Sequence, residues 1–369
     1  MGYKTIWVAE SHFSSEVQKQ HKSPVIPNYH GEVGLNADSC QLAQLIFAQT
    51  TSIGFGTAIF NIVGGNGGPI AAADRIRSLA FLNTLQPIPR KLHIGVAAGR
   101  FPYINSPFGI VPRNHTEEVF WPQYQRLIFL EALEIFLRLS NGETLSSADV
   151  TPRVINEALF KSTDEFASAV GKLPKDSLKL QTIDYKSRWV FESLKLVPEL
   201  ASAEWKHFLN FVLGSHDPLA RDLALTHADV DIFNLSFTPP EQLNKIHEEM
   251  FTRYQASGKK WQRGRLPRTV LVFIDRDLHK AEQRANHCFD TYIEAMRGTV
   301  VLPPKAELMP RALVGTPDMI CAQLEPGHQK DFHREDRLML WFEFNQVDQQ
   351  SILAQMRLFM EEVAHKYVT

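Results

Sequence analysis

The stretch Phe208–Arg221, FLNFVLGSHDPLAR, carries residue types that together could seat an anion. The apolar run Phe208 to Leu213 has the length and composition of a buried parallel strand. Gly214 and Ser215 end it, and Asp217-Pro218 opens a helical pattern through Leu219, Leu223 and Ala224. Asp217 fits the N-cap, and Pro218 fits the first turn, where no N–H donor is needed. A strand that stops at Gly-Ser and turns straight into a helix leaves backbone N–H groups at the helix start. With the helix dipole and the Ser215 hydroxyl, those groups would make a seat for a phosphate. An ordinary βα turn uses the same residue types, so this stretch alone leaves both readings open.

Other residues could do chemistry from neighbouring strand ends. His12, after Glu10 and Ser11, reads either as an active-site acid or base or as a structural histidine locking its strand end. Glu10 reads as a tie to a neighbouring loop. Arg100 would add a positive charge beside a bound anion, the alternative being a salt bridge to Glu117 or Glu118. Asp275 and Asp277 look like a helix cap, and His279 and His287 lack ligand spacing, so no metal site is expected. Cys40, Cys288 and Cys321 lie far apart and read as small buried hydrophobes.

The elements that must position these groups alternate along the chain. Strands are expected at Thr5–Val8, Ile53–Ile59, Leu92–Val96, Phe208–Leu213, Asp231–Leu235, Arg268–Ile274 and Arg337–Phe342. Between them lie helical patterns at Asp38–Thr50, Ile70–Asn83, Glu117–Leu139, Pro239–Tyr254 (capped by Thr238), Leu278–Met296, Gly315–Leu324 and Val347–Tyr367. Ser140–Ser202 reads least clearly, with a helix expected around Val154–Val170 and an exposed strand or hairpin in YKSRWVFESLKLVP. Seven strands, each followed by a helix, imply a parallel sheet with helices outside it. Over this length a closed β/α barrel is favoured; a Rossmann-type sheet is the runner-up, without any G-x-G-x-x-G after a strand. In either architecture the functional rim is where strands run out. Glu10, Ser11, His12, Asn61, Gly99, Arg100, Ser215, His216, Ser236, Asp275 and Glu343 all fall there, and this convergence favours the phosphate reading.

Composition excludes several classes. The chain has 369 residues, 44% hydrophobic and 22% charged, with formal net charge -2 and no basic block, which argues against nucleic acid. No apolar run reaches transmembrane length and no signal-peptide pattern opens the sequence, so a cytoplasmic protein without membrane contact is expected.

Six segments, in order, resemble the bacterial luciferase-like flavin monooxygenases: TIWVAESHF; GFGTAI with PIAAADRIRSLAFLN; LHIGVAAGR; VLGSHDPLARDLALTHAD; GTPDMICAQL; and RLMLWFEF. The resemblance covers most of the chain apart from about Asp149–Tyr185, which looks like an insertion before the fifth strand, at the barrel mouth. It implies a single (β/α)8 TIM barrel domain over residues 1–369, lacking the family's first strand–helix unit. Since Met1 stands almost at the second family strand, a true start upstream is expected. The resemblance further implies reduced FMN, or in some branches the deazaflavin F420. It implies O2 and a small organic substrate, a separate flavin reductase and a homodimer. Ser215, with the Gly214–His216 backbone, would hold the cofactor phosphate. Arg100 would add charge beside Gly99, although the family often carries its arginine where this chain has Ala98. Asn61 and the Gly64–Gly68 loop would lie against the flavin ring, and His12 matches the second of the family's two histidines. Ser11 replaces the first, and a serine is no base near neutral pH without help, which separates this chain from luciferase chemistry in the narrow sense.

Overall fold

The computed structural model describes residues 1–20, 26–34, 36–99, 102–174, 181–197, 205, 207–234, 237–298 and 302–367. Its strands are β1 Thr5–Val8, β2 Gly54–Asn61, β3 Leu92–Ala97, β4 Val154–Ile155, β5 Ile183–Asp184, β6 Leu209–Leu213, β7 Val230–Ile232, β8 Arg268–Ile274, β9 Leu313–Gly315 and β10 Leu338–Trp341. The chain divides into two compact units: Val8–His12 with Asn36–Val230, and Met1–Trp7 with Phe13–Leu35 and Asp231–Thr369.

The first of these units is built on β2, β3 and β6. β3 pairs parallel with both of the others, and its Leu92, Ile94 and Val96 are fully buried, as expected of a central parallel strand. Helix Trp121–Ser140 is buried almost all round because helices Gly68–Thr84 and Pro218–His227 flank it. In the other unit, β8 pairs parallel with β10 and β9. Val270, Val272 and Ile274 face Phe342 and Phe359, while Leu271 and Phe273 face Phe289 and Phe344. Both faces of β8 are therefore apolar, and its sequence runs RTVLVFI without alternation.

Among the described residues the parallel strands form a five-stranded and a three-stranded sheet. Several finer expectations need correction. β9 was not expected; three residues directly ahead of the Thr316 cap are too short to carry a pattern. The long helix over Glu117–Leu139 is two helices, His115–Val119 and Trp121–Ser140, broken at Phe120, with Pro122 in the first turn of the second. Thr238 is not the cap of helix Pro240–Ala256, because Pro239 and Pro240 remove the N–H groups that a cap there would bind.

The Val154–Val170 stretch is not one helix. Asn156 accepts from Ala158 N and Ser162 from Glu165 N, so two local caps cut it into β4, a short 3-10 turn and helix Thr163–Val170. Among the described residues the YKSRWVFESLKLVP segment makes a single bridge, Leu194 to Leu145, and the antiparallel pairing lies just ahead of it, β4 with β5. Residues of the 151–188 stretch dock on helix Trp121–Ser140 through buried carboxylates. Glu134 accepts from Arg153 Nη2 at 2.6 Å and from Thr151 N at 3.0 Å. Glu131 accepts from Tyr185, Ser187 and the Arg188 backbone.

Candidate active site

The strand β1 runs out into Ala9–His12, where residues two apart point to one side. Glu10 and His12 are such a pair, and His12 Nε2 lies 2.8 Å from Glu10 Oε1. Glu10 also accepts from Asn66 Nδ2 at 2.9 Å, while its Oε2 accepts from Ser39 N at 2.8 Å, at the start of helix Ser39–Gln49. Burial of the Glu10 side chain would raise its carboxyl pKa, but hydrogen bonds from His12, Ser39 and Asn66 outweigh that and hold it below the ordinary range. Ser11 is held in the backbone, donating its N–H to Asn36 O at 2.9 Å, and Asn36 donates back to Ala9 O.

Strands β2 and β3 bring up the next wall. The Ala58–Ile59 peptide is cis, and the β2–β3 register slips between Thr57 and Phe60. Asn61 closes the turn after β2, accepting from Val63 N at 2.9 Å and donating to Asn105 Oδ1 at 2.9 Å. Asn105 in turn donates to Ala98 O at 2.7 Å, tying the β2 and β3 ends together. The glycines are required by crowding. A Cβ on Gly65 would meet His12 Cδ2 and Asn61 Nδ2, both at 3.1 Å. One on Gly99, which already has φ +81°, would come within 2.7 Å of Asn61 Nδ2. His12, Asn61 and Gly99 thus form one cluster, as expected from their places at strand ends. Asn61 spends its polar atoms on the turn and on Asn105, so it builds the wall rather than offering a free group.

At the end of β6, Gly214 N donates to Val96 O at 2.8 Å, and a Cβ on Gly214 would strike Ile59 Cδ1 at 2.4 Å. Ile59 therefore links this turn to β2. Helix Pro218–His227 begins as expected, with Asp217 at the N-cap accepting from Leu219 N at 3.0 Å. Ser215 Oγ accepts from Asp217 N at 3.2 Å, which leaves its own hydrogen to donate outward. Arg221 Nη2 fixes the His216 carbonyl at 2.6 Å, and His216 is half-buried. Asp217 places a carboxylate at this anion seat, but Arg126 grips it with two contacts at 2.5 and 2.6 Å. Burial of Asp217 is outweighed by Arg126 and the Leu219 amide, so its pKa lies below the ordinary range. The residues fit a phosphate: a hydroxyl donor, a glycine where a Cβ would clash, and a helix start whose acid is paired away.

Arg100 and Ser236 lie outside the described residues. Asn105, Asn66 and Arg126 were not singled out from the sequence, since 44 residues separate Asn61 from Asn105 and no local spacing signals the contact. Among the described residues no three His, Cys, Asp or Glu side chains converge as a metal site, and no helix is long and apolar enough to cross a membrane.

No protein-family model and no curated relative matches the sequence. Solved structures do match. Monooxygenase RslO1 from Streptomyces bottropensis superposes with a TM-score of 0.67 at 16% identity, over 100% of this chain and 89% of that one. The oxygenating constituent of 3,6-diketocamphane monooxygenase from Pseudomonas putida, in complex with FMN, gives 0.59 at 13% identity, over 100% and 90%. An F420-dependent secondary alcohol dehydrogenase gives 0.51 at 14% identity, over 98% and 90%. The likeness to these solved structures extends along the whole chain and is one of fold: a mixed α/β fold with parallel sheets, shared with the two monooxygenases.

Proposed function

We propose that this chain is a flavin-dependent oxidoreductase, a monooxygenase that uses reduced FMN and O2 on a small organic substrate, within a single luciferase-like β/α barrel domain. The observation that carries the reading is the convergence of His12, Asn61 and Gly99 at the ends of β1–β3 with the seat at Gly214–His216, which Ile59 joins to them. FMN, when bound, supplies the electrons that activate O2. Ser215 and the backbone of Gly214–His216 hold its phosphate, with Arg100 as a further cation. The tight Gly64–Gly68 loop gives a flat ring close access to backbone. His12, with 19% of its side chain exposed, is the group able to move a proton.

The entrance is shaped by the insertion and the Phe101–Arg113 loop. Arg113 donates to Lys186 O and Ser187 O, Arg188 donates to Glu117, and a Cβ on Gly68 would meet Trp189 Nε1 at 2.8 Å. Exposed Leu45, Phe81, Leu82, Leu85 and Ile88, on helix Ser39–Gln49 and the end of helix Gly68–Thr84, suit a homodimer interface. Three unpaired cysteines suit a cytoplasmic setting, where a separate flavin reductase would supply reduced FMN.

A second reading, an F420-dependent oxidoreductase, draws on the alcohol dehydrogenase likeness and on Ser11. Oxygen uptake with NADH, a flavin reductase and a panel of aldehydes, alkanes and sulfonates separates the two. Substrate-dependent uptake supports the monooxygenase, and reduction of F420 by an alcohol supports the second reading. Bound flavin without turnover of either kind would mark a non-catalytic relative and overturn both.

A further inference from the structure

The buried Glu10 side chain, 2% exposed, is surrounded by groups that can only give hydrogen bonds to it. Ser39 N is a backbone donor at a helix start, and Asn66 offers its Nδ2 because Arg75 Nη1 already occupies Asn66 Oδ1. Arg75 is in turn fixed by Asp38 at 2.6 Å, so Asn66 cannot turn its oxygen toward Glu10 without breaking that chain. A carboxylate met only by donors is an acceptor, and the atom that reaches it from His12 must therefore carry a hydrogen. That atom is Nε2, at 2.8 Å. In neutral imidazole only one nitrogen holds hydrogen, which puts the lone pair on Nδ1. Nδ1 makes no hydrogen bond among the described residues, and the Cδ2 edge of the ring is the one turned to Gly65.

We propose that Glu10 is a positioning residue that holds His12 as the Nε2–H tautomer, so that Nδ1 is the atom that exchanges a proton with a bound substrate. This inference rests on the oxidoreductase reading for the proton transfer, but not for the tautomer. In the step, the O–H bond of a hydroxyl-bearing substrate, or of the hydrated form of an aldehyde, breaks, its electron pair stays on oxygen, and a new N–H bond forms at Nδ1. The resulting imidazolium is paired through Nε2–H with Glu10, and reversal returns the proton. No oxidant enters the step.

The geometry explains how a chain with Ser11 could keep a working base. Glu10 and His12 meet at 2.8 Å across the intervening Ser11, whose backbone N–H is engaged by Asn36 O.

The test is nitrogen-15 NMR of histidine-labelled full-length chain at neutral to mildly alkaline pH, with His12→Gln to assign the signal. The expected spectrum shows a resolved, slowly exchanging hydrogen on Nε2 and an unprotonated Nδ1. Glu10→Ala, which removes the acceptor, should lose that hydrogen. With FMN turnover in hand, it should also lower kcat on the order of a hundredfold, a larger change than in the FMN Kd. A hydrogen on Nδ1 in the unaltered chain would overturn the proposal, as would a resolved Nε2 hydrogen that survives Glu10→Ala, or unchanged kcat after its loss. The unaltered chain's spectrum is decisive even if Glu10→Ala does not fold. Should the chain turn over no substrate at all, the oxidoreductase reading fails while the spectrum still decides the tautomer.

Discussion

Two groups of buried carboxylates in this chain do opposite things with the same chemistry. Glu134 and Glu117, on the helices that carry the insertion and the Pro-rich loop, are met by arginines: Arg153 and Arg138 on one, Arg113 and Arg188 on the other. Arginine does not give up its proton, so these pairs can only hold structure together. Glu10 is met by a histidine and two uncharged donors. Histidine changes charge near neutral pH, so the same buried carboxylate becomes a means of orienting a proton carrier. The partner, not the acid, decides the role.

The largest way to break that contrast is Glu134→Ala. It takes one acceptor from Arg153, Arg138 and the Thr151 amide, although Arg138 keeps Glu143 and Arg153 keeps Thr151 O, and should cost about 3–5 kcal/mol in urea unfolding. Glu10→Ala strands only neutral donors and should cost less, about 1–3 kcal/mol in the same measurement. Equal losses would mean that both acids are structural in the same sense.

Acid sharpens the comparison. Against the cost of burial, hydrogen bonds and arginines hold Glu117 and Glu134 below the ordinary 4.5, and His12, Ser39 and Asn66 do the same for Glu10. A lowered folded-state value means that the stabilisation is fully present above pH 4.5 and is lost as pH falls through the folded value. Urea midpoints should therefore fall below pH 4.5, and Glu134→Gln should flatten that fall. The smallest effect concerns the anion seat. Asp217→Asn keeps an N-cap while removing a negative charge from the helix start, and should tighten FMN binding about two- to fivefold by calorimetry.

What could be read from the sequence follows the same division. β8 and helix Leu278–Met296 were legible to the residue, because continuous apolar character and an Asp277 cap are local signals. So was the Asp217-Pro218 helix start. The segment from Tyr185 was not legible: Tyr185, Ser187 and Arg188 are held by Glu131, more than 50 residues away, so local alternation there has no meaning for a sheet. Within the candidate site, glycine and histidine at strand ends were legible as candidates, and the structure gathers His12, Gly65 and Gly99 around Asn61. The polar pairs that lock them, Asn61 with Asn105 and Glu10 with Asn66, are long-range and left no spacing to find.

The central claim is that the turn Gly214–His216 holds a cofactor phosphate, and fluorescence titration tests it most directly. FMN, reduced FMN and F420 would be added in turn to the unaltered chain and to Ser215→Ala. Loss of one hydrogen bond to a charged phosphate is worth about 1.5–3 kcal/mol, so the account predicts tight binding of reduced FMN weakened roughly ten- to a hundredfold. Tight binding untouched by the substitution, or no binding of any of the three, would contradict it.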